Sequence, residues 1–136
     1  MIKVCNKHHT DNKLEGDDVI DINIMRPYIL SNQWSHLPNT NAKFKVKTRE
    51  QAVYKYSMWL AKELYEFKTQ AIRNEMNRLY QLALIKDINL ICCCAPLSCH
   101  GEIIKGMLEI RIKERGDVIY NAHLEPDLDL LAKELF

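Results

Sequence analysis

No stretch of this chain stays apolar for the roughly 20 residues that a membrane span needs, so no membrane partner is expected. The first residues, Met1-Ile2-Lys3-Val4-Cys5-Asn6-Lys7, lack the long apolar run of a signal peptide. Cytoplasmic residence follows as the expectation. The chain has almost no net charge, +1 at pH 7, and so lacks the broad positive field that draws proteins to nucleic acid. A local patch at Lys43, Lys45, Lys47 and Arg49 is the one feature that points the other way. Repeats and low-complexity segments are missing. So is an even cysteine framework: there are five cysteines, three of them consecutive. Neighbouring cysteines on one strand point to opposite faces and are badly placed to pair with each other. Reduced thiols, buried or functional, are the expectation.

What is present fits one domain, residues 1–136, long enough to bury about two-thirds of its unfolded surface. Ile2–Cys5 is short, apolar and β-compatible. Ile20 to Ile24 alternates apolar and polar, which suits a half-buried strand ending at Arg26-Pro27. Tyr28 to Lys47 has loop composition, and a loop that long in a small domain is usually functional or mobile. Thr48 caps a helix, with Gln51 completing a capping box. Ala52, Tyr56, Trp59, Leu60, Leu64 and Phe67 then follow at helical spacing, which reads as core. Ile72, Met76, Leu79 and Ala83 continue the pattern, with no Gly or Pro at Lys68–Gln70 to divide one helix from two. Ile88–Cys94 is a nearly unbroken apolar run, as in a strand buried on both faces of a parallel sheet. Gly101 to Lys113 is again amphipathic, with Gly116 as its expected end. Val118–Tyr120 is expected as a short edge strand and Asp127–Phe136 as a closing helix. This order predicts an α/β fold: a small two-layer or three-layer Rossmann-like domain with a mostly parallel central sheet.

One corner carries the chemistry: Cys92-Cys93-Cys94-Ala95-Pro96-Leu97-Ser98-Cys99-His100-Gly101-Glu102. In open α/β sheets, ligands sit where the carboxyl ends of strands lead into helices. The first N–H groups of a helix starting near Ser98 lack intrahelical partners and favour an anion. That position, and a neighbouring imidazole, would also lower the pKa of Cys99. Gly101 would let a ligand approach the backbone. Three readings are open. One is a binding or catalytic pocket for a small anionic molecule. A second is a zinc site using Cys92 or Cys94, Cys99 and a histidine such as His9, although the second knuckle of a strong zinc motif is missing. The third has the cysteines as small core residues and Ser98 as a helix cap. Arg26, a rigid and always charged fork at a strand end, suits an anion. Asn32 suits either a turn or a ligand contact.

The corner resembles the signature C-W-C-A-P-x-x-C-H-G-D/E of a small uncharacterised domain family found in bacteria, archaea and many phages. The family's upstream segment, G-R-P-S-x-L/W-G-N-P-F/W, is matched here at Arg26, Pro27, Leu30, Asn32 and Trp34. Its N-x-R/K-H element resembles Asn6-Lys7-His8-His9, and its helix R-E-x-A-x-x-x-Y-x-x-W-L is matched from Arg49 to Leu60. The likeness covers about residues 4–110 and leaves 116–136 as an extension. Two glycines of the upstream segment are Met25 and Ser31 here, its second proline is Gln33, and the tryptophan between the cysteines is Cys93. The resemblance implies an α/β fold with a pocket shared by the two motifs, but no reaction.

The resulting expectation is recognition, with turnover open, of a phosphate-bearing, nucleotide-like molecule, as in phage nucleotide metabolism or counter-defence. Arg26, Asn32, Ser98 and Gly101 are the expected ligand contacts. Cys99 is the expected nucleophile and His100 the expected acid–base. The rival expectation is a phage effector in the host cytoplasm that binds a host protein through the Tyr28–Lys47 loop or the tail, with the corner structural or zinc-binding.

Overall fold

The computed structural model describes residues 1–8, 12–95, 97–124 and 136, with the side chains of 117–124 excepted. Three parallel strands form the sheet, in the order β1 (Ile2–Asn6), β5 (Asp87–Cys92), β2 (Val19–Asn23). Ile88 pairs with Ile2 on one side and Ile20 on the other; Leu90 pairs with Val4 and Ile22. Side chains alternate across a strand, so these residues share one face with Cys92. Ile2, Ile22, Ile88, Leu90 and Cys92 belong to the core cluster, with Val4 and Ile20 packed against it, together with Tyr56, Leu60, Leu64, Ile72, Met76, Leu79, Ile104 and Leu108 from the helices. Each fully buried leucine or isoleucine in it contributes about 2 kcal/mol.

On the other face of the sheet, among the described residues, the loop at Leu14 meets β5. Asn89, wholly buried, bonds the backbone N–H and C=O of Leu14 (3.0 and 2.9 Å) and the Asp21 carboxylate (3.0 Å). A loop seals that side. The architecture is therefore α/β with two layers, and the apolar run of β5 is interrupted by a satisfied amide.

Thr48 caps α1 (Arg49–Ala61) as the sequence predicts, its Oγ1 accepting the Gln51 N–H at 3.1 Å. The Gln51 side chain reaches back one residue further than a standard box, to the Lys47 N–H. The chain then widens into a π-helical turn at Lys62–Glu66 and breaks at Lys68, whose φ is 52°. α2 (Gln70–Ile85) follows, so the pattern is two helices and not one. Phe67, expected in the core, lies beside the break and is 62% exposed.

The loop between Tyr28 and Lys47 holds a small parallel ladder, β3 (Trp34–Ser35) on β4 (Phe44–Lys45), with Trp34 stacked on Phe44. The last helix, α3, runs from His100 to Leu124. It passes through Gly116, and the edge strand expected at Val118–Tyr120 is helical instead. An interior glycine costs a helix only about 1 kcal/mol, too little to stop one already propagated over four turns. The closing helix expected at Asp127–Phe136 lies outside the described residues, except Phe136. That residue is buried edge-on to Tyr80, with its N–H on Asn77 and its backbone oxygen on Arg73. Among the described residues, no helix is long and apolar enough to cross a membrane.

Candidate functional site

β5 ends at Cys92, the chain turns through a Leu97 N–H to Cys94 C=O bond of 3.0 Å, and α3 begins at His100. Facing this corner are the residues after β2 and the first turn of α1. Together they enclose a cavity of about 250 Å3, lined by Arg26, Asn32 and Trp34 on one side, Arg49 and Val53 on another, and Cys92, Cys93, Cys94, Ser98, Cys99 and His100 across from them. Arg26, Asn32, Ser98, Cys99 and His100, distant in sequence, thus meet at one cavity.

Gly101 is not in its lining. A Cβ there would sit 2.8 Å from Val4 Cγ1 and 3.0 Å from Ile24 Cδ1. The glycine admits close packing of α3 on the strands, and that differs from the ligand approach the sequence suggests. Of the histidines named for zinc, His9 lies outside the described residues. Among the described residues, no three His, Cys, Asp or Glu side chains are grouped as metal ligands.

The first turn of α3 is tightly built. Cys99, not Ser98, caps it: its sulfur accepts the Gly101 N–H at 3.3 Å. His100 is only 7% exposed. Its Nε2 lies 2.7 Å from the Ile24 carbonyl oxygen, which can only accept, so Nε2 carries the proton. Nδ1 is then the lone-pair nitrogen, and it faces Cys99 Sγ at 3.6 Å. The ring stands edge-on to Tyr56 at 4.9 Å. Burial, with Arg26 nearby, pushes the imidazole down to about 4, despite the carbonyl that favours its charged form. At neutral pH it is an uncharged brace.

Tyr56 and Asn32 extend the bracing. The Tyr56 hydroxyl donates to Leu30 C=O at 2.6 Å. The Asn32 amide donates to Ala52 C=O and its Oδ1 accepts the Trp34 N–H, so this side chain is consumed by the backbone. The turn-forming alternative for Asn32 describes it.

The opposite side is open and charged. Arg26 is held by Asn32 C=O (Nη1, 2.6 Å) and Asn41 Oδ1 (Nε, 2.8 Å). Its Nη2 has no partner among the described residues. Arg49, which opens α1, stands beside Cys94. Hydrogen bonding to Cys99 draws the Cys92 and Cys94 thiols each down to about 6 against their burial. Cys99 itself is pushed far up, because its proton is the one shared with both neighbours, and burial adds to the effect. Ionisation belongs to the set: the first proton leaves readily and the last is held. Cys93 is exposed, and partial burial of its thiol beside Cys94 raises its pKa.

Sequence reasoning missed Arg49 as a wall of the cavity. The signal was present: Arg49 opens the helix matched to R-E-x-A, four residues after the strand that pairs with Trp34–Ser35. The sequence places Arg49 in a local basic patch and at the head of the family-like helix, and neither reading points it at the cavity.

A family model, that of the domain of unknown function DUF4326, matches residues 5–110. This covers most of the chain and every residue that lines the cavity. No curated protein and no solved structure matches it. The chain belongs to the DUF4326 family of domains of unknown function.

Proposed function

We propose that the cavity binds a small phosphate-bearing, nucleotide-like molecule, with its anionic group between Arg26 and Arg49. One observation carries this reading: two arginines from separate segments border the same cavity, and Arg26 is held by two hydrogen bonds with Nη2 unspent. A planar guanidinium makes charge-assisted bonds to phosphate oxygens. The starts of α1 and α3 both border the cavity and add positive potential of the same sense. At about 250 Å3 the hollow suits a small molecule and not a polymer. Trp34 offers an apolar wall for a ring, although Phe44 already stacks on it. Should the bound molecule also be turned over, Cys94 is the better nucleophile than Cys99: it is half-buried at the cavity, next to a positive charge, whereas Cys99 is 2% exposed and keeps its proton.

Calorimetric titration with inorganic phosphate, nucleosides and nucleoside phosphates tests the reading. Phosphorylated ligands are expected to bind at least about tenfold more tightly than the bare nucleosides, a difference of about 1.4 kcal/mol, and Arg26→Ala is expected to abolish that preference. Binding that ignores the phosphate would contradict it. A second reading, docking of another protein, draws on the exposed Tyr28, Ile29, Leu37 and Phe44 of the long loop. Polar substitution of these four residues would weaken such a complex and leave nucleotide titrations unchanged.

A further inference from the structure

We propose that the cavity takes a phosphate monoester as the free anion, a nucleoside monophosphate in class, and turns away Mg2+-bound di- and triphosphates. The inference rests on the reading of the hollow as a phosphate site and names which phosphates enter it.

The composition of the wall decides this. Among the described residues that line the cavity there is no aspartate or glutamate. Mg2+ demands an octahedron of oxygens, and a protein that holds a Mg2+–phosphate complex usually supplies one or two carboxylates to it. The neutral side-chain oxygens are mostly committed. Asn41 Oδ1 accepts from Arg26 Nε at 2.8 Å, Asn32 Oδ1 accepts the Trp34 N–H at 2.9 Å, and Ser35 Oγ accepts the Leu37 N–H at 3.1 Å. That leaves the Ser98 hydroxyl, one uncharged oxygen, to meet the cation. The thiols and the His100 imidazole in the wall suit softer metals.

Charge and size point the same way. Arg26 and Arg49 both border the cavity. A divalent cation brought between them is repelled, and one carried in on a phosphate cancels the charge that the arginines read. A bare phosphate meets neither cost. The volume, about 250 Å3, falls at or below the small end of the usual range for ligand pockets, about 300–1,000 Å3, which favours a short phosphate chain. Neighbouring phosphates of a di- or triphosphate chelate Mg2+, whereas a lone terminal phosphate holds it weakly. In the presence of Mg2+, the monophosphate is therefore the form that arrives uncomplexed.

The whole chain is titrated calorimetrically with the mono- and triphosphates of adenosine, guanosine, cytidine and uridine, first in EDTA and then in excess Mg2+ at matched ionic strength. Monophosphate binding is expected to change by less than about twofold when Mg2+ is added, and any triphosphate binding seen in EDTA to weaken at least about tenfold. Triphosphate binding that Mg2+ leaves unchanged or strengthens, or a monophosphate that binds only with Mg2+, would overturn the inference and leave the arginine site standing. Should none of these compounds bind in either buffer, the phosphate reading itself falls and this inference falls with it.

Discussion

Two halves of the corner between Cys92 and Glu102 are built on opposite terms. At the start of α3, every group is spoken for: Cys99 caps the helix, His100 is fixed to Ile24 and Tyr56, and Gly101 leaves no room for a methyl group. At the tip of β5 and the arginines facing it, Cys94 is half-buried, Cys93 is exposed and Arg26 has a nitrogen to spare. The difference teaches that one contiguous motif divides into scaffold and working surface. The conspicuous Cys-His pair belongs mainly to the scaffold, and the chemistry is left to its neighbours.

Substitutions should separate the halves. The largest effect is expected from His100→Ala, which strands the buried Ile24 carbonyl and empties the space against Tyr56; a loss of about 3–4 kcal/mol should show in urea unfolding. Next comes pH. The unfolded imidazole takes up a proton near 6.5, whereas the folded one resists until about 4. The unfolded state therefore binds more protons in that window, so stability is full above it and falls by up to about 3 kcal/mol as pH drops through it. His100→Gln, which keeps a donor for Ile24, should flatten that dependence. Gly101→Ala should cost about 1–2 kcal/mol by forcing Val4 aside. On the open half, Arg49→Ala should leave stability within about 0.5 kcal/mol. It should nonetheless raise the Cys94 thiol, read as a shift to higher pH in its alkylation rate. The smallest effect belongs to Cys93→Ser, within about 0.5 kcal/mol in unfolding. A large loss there, or none at His100, would break the division.

The fold was legible wherever burial imposed a period. β2 follows from alternation, β1 and β5 from short apolar runs, and the cap of α1 from Thr48 with Gln51, because each of these segments has apolar side chains that must meet the core. The break at Lys68 was not legible, since a non-glycine residue holds its φ of 52° and no Gly or Pro marks the place. Gly116 misled for the converse reason: a residue that often ends helices costs too little to end this long one. At the site, the motif brought Arg26, Asn32, Ser98, Cys99 and His100 to one cavity. Which of them face it as free groups depends on hydrogen bonds between segments far apart in sequence, such as His100 to Ile24 and Asn32 to Ala52. Residue type and spacing do not encode those.

The central claim is that the hollow between the two arginines holds a phosphate-bearing molecule. Native mass spectrometry of the freshly purified chain tests it most directly, run beside Arg26→Ala and Arg49→Ala. A phosphate-containing adduct on the wild type, absent from both variants, is the predicted result. A wild type that carries none under the same conditions, or an adduct indifferent to both arginines, would contradict the account.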